Sequence, residues 1–325
     1  MDIRNRGELK QRASRQLEVA FYDPRKLSLL HGAVIVGVGL VLTLLNLFLS
    51  YGIDHTGGLQ GMGTRNVLQT AQTLLSNAYS LLMPFWQIGI VYGFIRVARG
   101  EPADRRSLTQ GFYRFGPVLR LKLVELVIYF AIGMICAYGS SILSVALSSS
   151  LFELLEPVAM TIMEDPNADI YALVEQIPQQ ELLRAMLPMM LTFGVVYLVL
   201  GAFVAYRLRF AQYLVMDVPG TGVRAALTGS LQLTKGNCME LLKLDLSFWR
   251  YYLLQAVAVV ISFADVIAKM AGLTLPISSQ WTTILCYCLY AIILLALDYF
   301  YRPQVEVTYG LVYDGLKNPT DLTCE

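Results

Sequence analysis

LSLLHGAVIVGVGLVLTLLNLFLSYGI, from Leu27 to Ile53, contains no Asp, Glu, Lys or Arg. A helix needs about 20 mostly apolar residues to cross the hydrocarbon layer of a bilayer, and this run is longer than that. A secretory signal would have a short apolar core closed by a small-residue cleavage site. The apolar run begins only at Leu27 and continues without such a site, so the segment is expected to stay in the protein.

Five further stretches reach spanning length: Leu74 to Val97, Leu121 to Leu147, Leu187 to Ala205, Phe248 to Ala268 and Thr283 to Tyr301. The third carries Glu125 one turn inside and leaves through Ser148 to Ser150. Over the 325 residues, 56% are hydrophobic and 15% charged, and mean hydropathy is +0.54. A soluble chain carries roughly 25% charged residues. The expected fold class is therefore all-α, a polytopic membrane helix bundle of six transmembrane helices forming a single integral membrane domain over residues 1–325. A net charge of +1 gives no concentrated basic surface for nucleic acid.

Basic residues between spans are retained on the cytoplasmic side, so their distribution gives the expected orientation. Of the 25 Lys and Arg, all but Arg65, Arg184 and Lys269 fall before the first span, between the second and third, between the fourth and fifth, or in the tail, with Arg96, Lys122 and Arg250 at the span ends counted in the links they adjoin. A multi-pass protein of the cell membrane with both N- and C-termini cytoplasmic is expected. The outer link between the third and fourth spans is acidic, with Glu153, Glu156, Glu164, Asp165, Asp169, Glu175 and Glu181 against Arg184. Apolar residues recur in it at helical spacing on either side of Asp165-Pro166-Asn167. That pattern predicts an acidic outer helical hairpin.

Each basic segment starts with a short amphipathic pattern leading into a span. The first carries Leu9, Ala13, Leu17 and Phe21, with Asn5 and Glu8 at capping-box spacing; the second carries Leu108, Phe112 and Phe115; the third carries Val223, Leu227, Leu231 and Thr234. They break at Asp23-Pro24, Gly116-Pro117 and Gly236-Asn237, and the next spans open as Leu27-Ser28-Leu29, Leu121-Lys122-Leu123 and Leu242-Lys243-Leu244. Three cytoplasmic-side amphipathic helices and a pseudo-threefold repeat over 1–100, 101–215 and 216–325 are expected. Such helices suit the headgroup layer and anionic lipid; packing against the span ends is the alternative, and both readings stand.

No reactive constellation emerges. Gly220-Thr221-Gly222-Val223-Arg224-Ala225 has dinucleotide-fingerprint spacing but lacks the preceding strand that the chemistry requires, and reads as a turn opening a surface helix. His31 and His55 are far apart and in no metal-binding spacing. Cys136, Cys238, Cys286, Cys288 and Cys324 fit neither a disulfide framework nor a redox pair. Gly89 and Gly93, and Gly201 with Ala205, offer close helix approach. Glu125, Asp265 and Asp298 are charges within spans, where charge is costly and marks the place to look for function. Each has a basic neighbour on its own helix: Lys122, Lys269 and Arg302. Local pairing is one reading; the other is a cytosolic-side polar cluster in which Glu125, Arg207, Arg209, Asp245, Asp298 and Arg302 converge. Lys235, Gly236 and Asn237 are expected to form a structural hinge, since Gly and Asn both tolerate the left-handed conformation that ends a helix.

The block SLQLTKGNCMELLKLDLSFW, Ser230 to Trp249, resembles a bacterial membrane family, the domain of unknown function 975. The likeness rests on the Lys-Gly-Asn turn at Lys235 to Asn237 and the Leu-Asp-Leu-Ser-Phe run at Leu244 to Phe248. Glu8-Leu9-Lys10, Ala13, Pro303, Tyr309 and Tyr313 to Leu316 are similar to the family's ends. Arg250-Tyr251-Tyr252 departs from its usual aromatic or apolar turn, and the acidic outer segment is longer than usual. The resemblance implies a bacterial polytopic membrane protein, no known reaction and no catalytic residues to carry over. The expected activity is accordingly non-catalytic: a scaffold or accessory protein binding membrane lipids or another membrane protein, without cofactor, metal or nucleic acid. The alternative is a small-solute transporter or channel with a polar cavity opening to the cytoplasm.

Overall fold

A computed structural model describes residues 5–20, 23–55, 59–147, 150–164, 179–264, 267 and 279–317. Among these the chain is helical, with no strand. The first helix, α1 (Arg6–Val19), starts on the expected capping box: Asn5 Oδ1 accepts from the Glu8 backbone N–H at 3.4 Å and Asn5 Nδ2 donates to the Glu8 carboxylate at 2.9 Å. Asp23 and Pro24 then open α2 (Pro24–His55), where the ring suits a first turn that needs no N–H. A third helix, α3 (Leu59–Ala98), contains Pro84 and ends at Gly100, whose φ is +73°.

The second amphipathic pattern does not form one helix. Leu108 falls on a 3-10 turn (Arg105–Thr109), Phe112 on the single turn α4 (Gln110–Tyr113), and Phe115 opens α5 (Phe115–Leu147). The break lies at Arg114 and not at Gly116-Pro117 because Pro117 is compatible with the first turn of a helix and not its interior, so α5 starts just ahead of it. Next come α6 (Ser150–Glu164), α7 (Gln179–Leu208), α8 (Ala211–Asp217), α9 (Val223–Leu233), α10 (Cys238–Ser247), α11 (Trp249–Ser262), α12 (Ser279–Phe300) and α13 (Arg302–Lys317). The second arm of the expected outer hairpin, its turn at Asp165 to Asn167, and Asp265 lie outside the described residues. The last helix, α13, was not expected from the sequence.

Among the described residues five segments are long and apolar enough to cross a membrane: Pro24–Leu49, Val67–Ala98, Phe115–Leu143, Ala185–Asp217 and Trp281–Phe300. The pair α10 and α11, bent by 74°, makes a sixth if taken as one span.

The chain divides into two compact units, Met1–Lys122 with Arg207–Glu325, and Leu123–Tyr206. In the smaller, a Cβ at Gly133 on α5 would stand 3.8 Å from the Tyr197 ring of α7, and Tyr197 stacks on Phe193. A Cβ built at Gly201 would meet no other part of the described structure within 4 Å beyond its own stretch of helix.

The larger unit is organised around the second half of α3. Ile90, Phe94, Val97 and Ala98 pack with Ala13 of α1, Leu27 of α2, Leu108 of the 3-10 turn and Val307 of α13. Phe85 and Ile88 meet Val118 and Leu121 of α5, Val215 and Met216 of α8, and Ala226 of α9. Contact between α3 and the 3-10 turn is backbone to backbone: a Cβ at Gly89 would collide with the Leu108 carbonyl, and one at Gly111 with the Phe85 carbonyl. Only glycine fits either position. Farther along the bundle α2 packs on α3, α12 packs on α2, and α11 packs on α12.

Candidate functional site

The break between α7 and α8 is built by α9. The Ser230 hydroxyl donates to the Arg207 carbonyl at 2.8 Å and accepts from the Phe210 N–H at 3.1 Å, and Thr234 Oγ1 lies 3.3 Å from the same carbonyl. These contacts satisfy backbone groups that a helix end leaves open. They also fix Arg209, which sits in the break. Its guanidinium donates to the Asp245 carboxylate of α10 at 2.7 and 3.4 Å and lies 3.5 Å from the centroid of the Tyr309 ring of α13. Tyr252 of α11 donates to Asp245 Oδ1 at 2.5 Å, and Tyr309 donates to the same oxygen. Burial, with Asp245 opposing the influence of Arg209, raises the Tyr309 pKa, which keeps the phenol a donor.

A second cluster surrounds Arg302. It donates to Asp298 at 3.1 Å, pairs with Glu306 at 3.5 Å and lies 2.9 Å from His31 Nδ1 on α2. An arginine can only donate, so Nδ1 accepts and the ring proton sits on the buried Nε2. Burial disfavours the Arg302 charge, but Asp298 and Glu306 outweigh it and the pKa is raised. Space is tight here, since a Cβ at Gly32 would strike the Asp298 carboxylate.

A third cluster lies at the end of α3, where Arg99 chelates Asp314 of α13 at 2.6 and 3.0 Å and binds Asp217 of α8 at 2.5 Å. Asp217 also accepts from Tyr313 at 3.0 Å and from Lys317 at 2.6 Å. The bonds to Asp314 and then Asp217 raise the Arg99 pKa. Tyr313 is raised by burial and by Asp217.

Of the residues singled out from the sequence, Arg209 joins Asp245 and Asp298 joins Arg302. Arg207 is turned to Thr234 at 3.5 Å, and Glu125 belongs to the smaller unit. At the hinge Gly236 has φ +81°, whereas Asn237 is right-handed at φ −106° and donates to the Leu233 carbonyl at 3.4 Å. Lys235 is exposed. Arg99, Asp217, Asp314, Tyr252, Tyr309 and Tyr313 were missed. For Tyr309 and Tyr313 the signal was the spacing of Arg302, Glu306, Tyr309, Tyr313 and Lys317, three or four residues apart and so on one face of a helix. That face of α13 threads all three clusters.

In the spans, α2, α3 and α12 enclose a cavity of about 340 Å³. It is lined by Thr43, Asn46, Ser76, Tyr79, Tyr287 and Tyr290 among others, with no charged side chain. Among the described residues no three His, Cys, Asp or Glu side chains are grouped to hold a metal. Cys136, Cys238, Cys286 and Cys288 are free thiols; Cys324 lies outside the described residues.

The helices of spanning length are compatible with a polytopic α-helical membrane protein. The profile of the family described as "Protein of unknown function (DUF975)" matches residues 5–318, and the chain belongs to that family. No curated protein and no solved structure matches it.

Proposed function

We propose that this protein is a non-catalytic scaffold or accessory protein that acts by binding lipid or another membrane protein. The observation that carries this reading is a division of labour. Asp217, Asp245, Asp298 and Asp314 are each occupied by basic or phenolic partners within the fold, while the spans present large apolar side chains outward, Phe48, Leu74 and Ile292 among them. Carboxylates held this way lock helices together and are engaged with partners of the fold instead of standing free as general acids or bases. Affinity capture of the full chain in mild detergent is expected to recover a reproducible lipid or protein; recovery of bulk lipid alone, at ordinary ratios, would defeat the proposal.

In this reading the chain crosses a bacterial cell membrane six times, with α11 leading the fifth span and both termini cytoplasmic. The segments around α1, the 3-10 turn with α4, and α9 lie along the cytoplasmic face as three related units. The distribution of Lys and Arg supports the orientation. Cysteines introduced at Asn167 or Ser278 should react with an impermeant thiol reagent outside intact cells, and those at Thr109, Thr228 or Asn318 should not. Labelling at Thr228 would overturn the orientation of its loop.

The polar cavity among α2, α3 and α12 favours a second reading, a small-solute pathway. Its residues on α2 run from Ile35 to Asn46, roughly 16 to 33 Å along a helix that starts at the basic end. An opening toward the cytoplasm would therefore have to pass the tight Gly32–Asp298 contact, which is why this reading is second.

A further inference from the structure

The bend between α10 and α11 borders a cavity of about 300 Å³, lined by Lys10, Phe248, Trp249, Arg250, Tyr251, Tyr301 and Gln304 with Ser247. Two cations and no acid line it. Lys10 donates to the Ser247 carbonyl at 2.6 Å and stands 4.0 Å from the Phe248 ring centroid, which uses one of its three ammonium donors. Among the described residues neither Lys10 nor Arg250 forms an ion pair. The neighbouring acids are committed elsewhere: Asp245 to Arg209, Asp298 and Glu306 to Arg302. The Arg302 trio leaves a single residual negative charge, which the two cations of the cavity exceed.

The cavity sits where α11 begins, and its rim carries Trp249, Tyr251 and Tyr301, residue types that settle at headgroup level. Arg250 stacks 5.6 Å from the Trp249 ring centroid. Beyond the mouth, Leu253, Val257 and Val260 form an exposed apolar stripe along α11. A space of this size holds a phosphate and glycerol but no acyl chain, and the stripe offers the surface on which chains would lie.

We propose that this cavity binds the phosphate of an anionic phospholipid, with Lys10 and Arg250 supplying charge-assisted donors and the α11 stripe receiving the acyl chains. The proposal deepens the lipid-binding reading above and rests on it. Lys10 also caps the carbonyl end of α10, so the lipid ties α1 to the α10–α11 bend. Burial lowers the Lys10 pKa, an effect that a bound anion reverses.

The test is native mass spectrometry of the full chain offered equal amounts of phosphatidylglycerol and phosphatidylcholine. The unaltered protein should retain phosphatidylglycerol preferentially. Lys10→Gln and Arg250→Gln should each reduce that preference about five-fold, and the double variant about thirty-fold, at roughly 1 kcal/mol per cation near a membrane surface. Arg250→Gln should leave the melting temperature unchanged, because Arg250 is exposed and makes no hydrogen bond that holds the fold; it decides the matter if Lys10→Gln misfolds. Arg250→Lys should restore most of the preference. Equal retention of both lipids, or a preference that survives in the double variant, would overturn the site while leaving the scaffold reading intact. Displacement of the lipid by millimolar inorganic phosphate would assign the site to free phosphate and overturn the lipid. A protein that captures no lipid and no partner at all would instead sink the broader reading.

Discussion

The two halves of α3 both carry large apolar side chains but differ in polarity and in surroundings, the first half being interrupted by Gln69, Gln72 and Asn77. From Phe85 to Ala98, Ile88, Ile90, Phe94 and Ile95 are essentially inaccessible, whereas Val67, Leu74, Leu81 and Leu82 stand about half or more exposed. One half meets α1, α8, α13 and the 3-10 turn; the other lines a cavity with α2 and α12. The difference teaches where this protein keeps its core. Its own packing is concentrated at the basic end, while along the spans large apolar side chains stand exposed. In lipid, apolar side chains gain little by leaving the solvent, because acyl chains are as apolar as leucine. Buried charges gain a great deal by pairing.

That contrast can be broken most severely at the basic end. Asp245→Ala should leave Arg209 buried without its acid and remove the acceptor for Tyr252 and Tyr309, a loss of about 3–5 kcal/mol for a broken buried pair. Thermal melting in detergent would reveal it as a large drop or as absence of folded protein. Asp245→Asn keeps an acceptor and should cost distinctly less. Normal abundance of Asp245→Asn together with complete loss of a cellular phenotype would contradict a structural role, since that pattern belongs to a chemically active carboxylate.

A smaller effect is expected at Gly89→Val. The added carbon atoms must push the Leu108 backbone away, an overpacking that costs about 1–3 kcal/mol. Melting should fall accordingly, and a value unchanged from the parent would show that the α3 contact with the 3-10 turn is loose. The smallest change belongs to the exposed half: Leu74→Ala should shift stability by no more than about 0.5 kcal/mol, as for substitutions outside a packed site. A drop in Leu74→Ala as large as that in Gly89→Val would mean that a second chain covers this face, and cross-linking would then identify it.

The spans were legible because hydrophobic length is a local property, carried residue by residue along runs such as Leu27 to Ile53. The capping box at Asn5 and Glu8 and the turn at Gly236 were legible for the same reason, each depending on neighbours within a few positions. Short-range regularity misled at Gly116-Pro117, where a proline read as a break proved to sit in the first turn of α5. It misled again at α13, whose mixed composition of Val, Tyr, Arg and Glu hides a helix buried on several sides.

What the sequence by itself determined is the presence of long apolar segments, five of the six recovered as helices of spanning length among the described residues and the sixth only as the bent α10–α11 pair, and the asymmetry of charge between them. Only the tertiary structure decided which charges meet. Arg99 finds partners 118 and 215 positions away, and Tyr309 reaches Asp245 across 64. Where the charges are partly buried, as at Asp245, pairing offsets the cost of taking them out of water, yet the choice of partner rests with the packing of α3, α8, α10 and α13, which no local pattern encodes.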